Sequence, residues 1–215
     1  MFDWLTDNSA ALGLFVDLTL MLVWVTYLNL FLIGFYRQNR SAIHISRAAA
    51  ENRRARCLLT NMGQQNIFLL AIVVDLKDEN GTRRTIATDR EEHREDEYGD
   101  LLERTFQGPL EPGQSRDIGS FEELLNRAIL RLDTSCEIEQ FDCVTVTAIA
   151  ASNQAKSFVA AHKSFTISVP DSSQESRFQP ESLLTTQIGG PFGDRRIRRL
   201  LTADWSSQTV HKEAA

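Results

Sequence analysis

The sequence is short of the residues that build special scaffolds. Its 215 residues include 3 cysteines, 5 prolines and 11 glycines. Numbers so low exclude a disulfide framework, a collagen-like repeat and a Pro/Gly-rich disordered chain. Cys57, Cys136 and Cys143 are odd in number and stand in apolar or strand-like surroundings, which fits a reducing compartment and predicts no disulfide. Positive charge is missing from the N-terminus: no Lys or Arg precedes Arg37, and Asp3 and Asp7 lie within the first eight residues. A cleaved secretory signal needs a basic start, so an uncleaved anchor is favoured.

Sequence signatures of catalysis are also lacking. The chain has no phosphate loop, dinucleotide fingerprint, nucleophile elbow or zincin motif. Gly189-Gly190-Pro191-Phe192-Gly193 is glycine-rich but has no following Lys-Ser/Thr to hold a nucleotide, and reads as a hinge. Cys136 and Cys143 have no histidine at ligand spacing, and buried thiols are the simpler reading. His93 stands in an acidic run, and His44 and His162 fall in predicted strands. Nothing in the spacing of Ser, His and Asp brings them together. The expectation is a protein that is not an enzyme, with no cofactor and no metal site.

What the sequence does contain is one long apolar run. Residues 10–36 carry only four clearly polar side chains, Asp17, Thr19, Thr26 and Asn29. A hydrocarbon core about 30 Å thick needs roughly 20 apolar residues in a helix. Residues 18–35 nearly suffice, with Trp4 and Tyr36 near the two ends, so a single transmembrane helix over 9–36 is predicted. Arg37, Arg40, Arg47, Arg53, Arg54 and Arg56 follow it closely. Basic residues resist translocation, which predicts an extracytoplasmic N-terminus over residues 1–8 and a cytoplasmic C-terminal part in a bacterial inner membrane. Residues 37–41 form the juxtamembrane basic segment. Four residues of the helix are candidates for packing against a partner helix: Gly13, Asp17, Thr26 and Asn29. Asp17 has a competing place at the outer interface, since 18–35 already spans.

Beyond the helix, short apolar segments alternate with turn signals, as in an all-β domain over 42–169. Strands are predicted over 42–47, 54–61, 67–76, 83–88, 116–118, 137–150 and 157–169. Asn80-Gly81 is suited to a type I′ hairpin turn, and Asn153-Gln154 to a turn between the last two strands. Ser120 and Glu123 make a capping box ahead of Phe121, Leu124, Leu125, Ala128, Ile129 and Leu132, which recur at helical spacing. The fold class expected is therefore mainly β: an N-terminal transmembrane helix, then an immunoglobulin-like two-sheet sandwich with one inserted helix.

Leu59-Thr60-Asn61-Met62-Gly63 followed by Ile67 resembles the strand–turn–strand of immunoglobulin-like accessory domains, and Leu110-Glu111-Pro112-Gly113 resembles their Pro-Gly turn. The layout as a whole resembles uncharacterised bacterial single-pass inner-membrane proteins with a cytoplasmic sandwich, a resemblance that implies no activity.

Charge is uneven. All 23 Lys and Arg, and all but three of the 29 Asp and Glu, lie after residue 36. Eight acidic residues crowd residues 89–104, a pattern of solvated surface. Residues 170–190, rich in Ser, Asp and Gln, read as a linker. In the tail, 191–215, Ile197, Leu200, Leu201 and Trp205 line one face of a short amphipathic helix flanked by Arg195, Arg196, Arg198 and Arg199. Arg195, Arg196, Arg198, Arg199 and Trp205 are thus candidates for binding a membrane surface or a partner, with packing of the stripe on the sandwich as the alternative. The acidic domain lacks the basic and aromatic interleaving of a nucleic-acid surface. The partners expected are the lipid bilayer and a protein. These features predict a noncatalytic membrane-anchored interaction or regulatory module, or alternatively an accessory subunit of a channel or transporter packed through its helix; a membrane-surface enzyme is the third reading and would require Cys143, His93 or His162 to converge in a pocket.

Overall fold

A computed structural model describes residues 9–38, 41–89, 105–132, 136–152, 158–169 and 176–189, together with Gly193, Arg195, Ile197, Arg198, Arg199 and Leu201. The chain forms two compact units, 1–40 and 41–215. The first is helix α1, Ser9–Gln38. Over Ser9–Tyr36 it is long and apolar enough to cross a membrane, and none of that window is buried within the protein. Its lack of an amphipathic face matches that setting, because a helix apolar all round has no solvent side.

The second unit is a sandwich of two antiparallel sheets. Its strands are β1 (Ile43–Ala48), β2 (Arg56–Asn61), β3 (Ile67–Asp78), β4 (Gly81–Ile86), β5 (Gly108–Leu110), β6 (Ser115–Ser120), β7 (Cys143–Ser152), β8 (Phe158–Ser168), β9 (Arg177–Pro180) and β10 (Thr186–Ile188). The smaller sheet has the order β1-β2-β6. The larger runs β10-β8-β7-β3-β4, with β5 added to β3 and β9 to β8. The fold is mainly β, as the alternation of short apolar segments and turns requires.

Between the sheets, Ile43, Ile45, Cys57, Leu59 and Ile118 from the small sheet meet Leu69, Ile72, Val74, Val144, Val146, Ala148 and Phe165 from the large one. Strand β3 is nearly continuous in apolar residues because both of its faces are covered. Ile72, Val74 and Leu76 face the inter-sheet core, while Ala71 and Val73 pack in a second cluster on the outer face. A register shift between Leu69 and Ala71 lets the strand change phase along its length.

The helix predicted from its capping box is α2, Phe121–Arg131. The Glu123 N–H donates to the Ser120 hydroxyl, and the Ser120 N–H to the Glu123 carboxylate. The residue before the cap has to be glycine: Gly119 has φ +104°, and a Cβ there would lie 2.5 Å from Glu123 Oε2. Phe121 opens the helix and enters an aromatic stack, 4.7 Å from Phe178 and 4.8 Å from Phe165 between ring centroids.

Three expectations need correction. The β3–β4 hairpin falls where Asn80-Gly81 placed it, but the turn residues are Glu79 and Asn80. The Asp78 carboxylate accepts the Asn80 N–H at 2.8 Å, and Asn80 does not adopt the positive φ of a type I′ turn. The strand expected over 137–150 begins only at Cys143, because Ile138–Gln140 forms a single 3-10 turn that tucks Ile138 into the core. Residues 170–190 are not simply a linker: β9 and β10 lie in this stretch and pair with β8. Phe178, its one large buried aromatic, completes the stack with Phe121. The Asn153-Gln154 turn and most of the acidic run lie outside the described residues, as do His93, residues 1–8 with Trp4, and residues 39 and 40 of the basic segment 37–41.

All three cysteines are free thiols. Cys57 is wholly buried between the sheets, and burial pushes its thiol up to about 12. The sign follows from linkage. An unfolded thiol ionises near 9 while the folded one keeps its proton, so stability present below pH 9 is lost as pH rises towards 12. Three pH units at about 1.4 kcal/mol each give a loss of about 4 kcal/mol. Urea unfolding across this range should show that slope in the native protein, and Cys57→Ala should remove it. An equal slope in both proteins would mean that the Cys57 thiol is not the source.

Candidate functional surfaces

The four helix candidates do not share a face. At about 100° per residue, Thr19, Thr26 and Asn29 fall within an arc of about 80°, with Gly13 and Asp17 on the opposite side. The Asp17 side continues through Trp24, Leu28, Phe31 and Phe35. Trp24 meets Tyr27 edge-on, and Phe31 stacks near Phe35. On the other side the polar groups are partly satisfied within the helix. Thr19 Oγ1 donates to the Phe15 carbonyl and Thr26 Oγ1 to the Leu22 carbonyl, each at 2.8 Å. Asn29 Nδ2 donates to the Val25 carbonyl at 3.0 Å. Such bonds to the preceding turn let hydroxyls and amides sit in an apolar setting.

The described part of the tail packs on the sandwich. Among the described residues, Gly193, Arg195, Ile197, Arg198, Arg199 and Leu201 are helical. Ile197 is buried and Leu201 half-buried against Ala71, Val73, Ile149 and Ala160 on the outer face of the large sheet. The two described members of the apolar stripe, Ile197 and Leu201, are therefore covered by the sheet. Arg195, Arg198 and Arg199 are exposed. The Arg198 guanidinium lies 5.1 Å from the centre of the Phe158 ring. Arg196 and Trp205 lie outside the described residues.

The most organised polar groups of the sandwich join its two sheets at the sides, and sequence reasoning missed them. On one side, between β4 and β6, stands Arg127 of α2, 1% exposed. Its Nη1 donates to the Ala87 carbonyl at 3.1 Å and Nη2 to the Ile118 carbonyl at 2.8 Å. Its Nε donates to the Glu123 carbonyl at 3.2 Å. The guanidinium also lies 4.9 Å from the Phe106 ring centre. A planar fork with several donors can join carbonyls from two sheets at once.

On the other side, β10 crosses beside β1. The Ile43 N–H donates to Gln187 Oε1 at 3.1 Å, and Gln187 Nε2 donates to the Ile43 carbonyl at 2.7 Å. The Ile45 N–H donates to Thr185 Oγ1 at 2.9 Å. Side chains thus satisfy backbone groups of the small sheet's edge strand, which would otherwise be a template for unwanted pairing. Lys163 Nζ donates to the Leu183 carbonyl at 3.1 Å, and His44 Nδ1 lies 3.2 Å from Thr185 Oγ1. Burial lowers the pKa of both groups. For His44, the Lys163 charge lowers it further. These groups fasten the segment to β1 and β8. Among the described residues, no group of three His, Cys, Asp or Glu side chains is placed to hold a metal ion.

No family model matches the chain, and no curated protein and no solved structure matches it significantly.

Proposed function

We propose that this protein is a noncatalytic interaction or regulatory module, anchored by one helix in the cytoplasmic membrane of a bacterium, with its sandwich in the cytoplasm. The observation that carries the reading is a helix able to cross a bilayer, followed by six closely spaced arginines and a separate, well-packed unit. Arginines after the span favour the N-out orientation. Tethering to a surface raises the effective concentration of a weakly binding domain, so modest contacts from its loops and edges serve. The side-to-side fastening of the sandwich supports a rigid display scaffold. Leu183 and Leu184, 91% and 78% exposed, stand on the fastened segment as surface apolar groups open to a partner.

A second reading, an accessory subunit of a channel or transporter, has Asp17 in its favour, an exposed carboxylate in the apolar run. One experiment separates the two. The tagged full-length protein is purified in mild detergent beside a version whose helix is replaced by an unrelated single-pass anchor, and bound proteins are identified by mass spectrometry. The module predicts a stoichiometric partner retained after the exchange. A partner lost with the native helix supports the accessory subunit.

A further inference from the structure

We infer that the chain forms a parallel homodimer through the Thr19–Thr26–Asn29 face of its helix, with the Asn29 amides hydrogen-bonded to each other across the interface. The inference rests on the membrane-anchor reading and goes beyond it. Residues Thr19, Leu22, Thr26, Asn29 and Ile33 follow one another at alternating spacings of three and four, which is the seam of a left-handed helix pair.

On this seam the Thr19 and Thr26 hydroxyls already donate within the helix. Asn29 is different. Its amide nitrogen spends one proton on the Val25 carbonyl, and its side-chain oxygen accepts no hydrogen bond among the described residues. Asn29 stands about 4 Å along the axis from the midpoint of residues 18–35. At that depth no water supplies a partner, and an unpaired amide group is costly.

A second copy of this chain is the occupant that meets the requirement directly. Identical chains insert in the same orientation, so parallel copies bring Asn29 opposite Asn29 at equal depth. An amide is both donor and acceptor, so each Oδ1 can accept the free Nδ2 proton of its counterpart. Asp17 and Gly13 lie on the opposite side of the helix and remain outside this contact.

The test uses the full-length protein in native membranes, with single cysteines introduced on either side of the helix and the unsubstituted chain as background. Under mild oxidation Ile33→Cys should give a cross-linked dimer, and Phe31→Cys, which points away, should give none above background. Adding Asn29→Leu to Ile33→Cys removes both reciprocal bonds and should weaken association by at least about three- to thirty-fold, the effect of a single interhelical hydrogen bond. Asn29→Gln should retain the dimer, and Asp17→Leu should leave it unchanged. Equal cross-linking from both faces, no cross-linking from Ile33→Cys, or indifference to Asn29→Leu would overturn the dimer. Alkaline carbonate washing of the same membranes separates the two levels. A chain that stays in the membrane but does not cross-link refutes the dimer alone, whereas a chain that washes off refutes the anchor and the dimer together.

Discussion

Replacing Arg127 by methionine should lower the stability of the sandwich by about 3 to 5 kcal/mol, the sum of its lost charged-donor hydrogen bonds less the relief from no longer burying a guanidinium. Methionine fills similar volume but its side chain donates nothing, so the three bonds to the carbonyls of Ala87, Ile118 and Glu123 are lost together. Each bond from a charged donor contributes about 1.5–3 kcal/mol, and relief from burying the guanidinium offsets part of the sum. For a unit of this size the change corresponds to a fall in melting temperature of about 10 °C. Calorimetry of the full-length protein in detergent reads it. Lysine should restore less than half, because one ammonium cannot serve both the Ala87 and Ile118 carbonyls. A loss below 1 kcal/mol in the methionine variant would mean that the β4–β6 side is held by packing alone.

Asn61→Leu should cost about 3 kcal/mol, through the loss of three buried hydrogen bonds to the backbone at one end of the sandwich. Asn61 is fully buried. Its Nδ2 donates to the carbonyls of Gln65 at 2.8 Å and Leu110 at 3.0 Å, while its Oδ1 accepts the Gly63 N–H at 2.9 Å. One side chain therefore fixes the turn after β2 and ties it to β5. Leucine matches its size and removes all three of these bonds at once. Gly63 has little room to adjust, since a Cβ there would lie 2.9 Å from the Ser41 Cα. In urea the midpoint should fall with the slope unchanged, the sign of lost stability in the same folded state. An unchanged midpoint would show that water takes over the three bonds.

These two residues mark where the sequence stops being legible. Helix α1, strand β3 and helix α2 follow from apolar runs and periodicity, because in each the residues that decide the structure are the ones whose burial the pattern registers. Arg127 occupies a position in α2 that reads as polar surface, between Leu125 and Ala128. Only the placement of Ala87 and Ile118, remote in sequence, turns it inward. Thr185 and Gln187 are illegible for the same reason: their partners are backbone groups of Ile43 and Ile45, and backbone is the same at every position. The Ser, Gln and Asp content of 170–190 signals low hydrophobicity, yet a short edge strand needs few apolar residues when its neighbour β8 supplies the burial. Asn61 was visible as part of the Leu59–Gly63 turn, but its three-way bonding was not. In the tail, the apolar stripe was legible and its destination was not, because a bilayer and the outer face of a sheet select the same residues.

The measurement that tests the account most directly is the membrane topology of the intact chain. Cells expressing the protein with a single added cysteine, either next to Met1 or after Ala215, are treated with a membrane-impermeant maleimide in conditions that keep the inner membrane sealed. The anchored module predicts labelling of the N-terminal cysteine in sealed cells and of the C-terminal one only after lysis. Labelling of the C-terminal cysteine in sealed cells, or release of the chain into the soluble fraction, would contradict it.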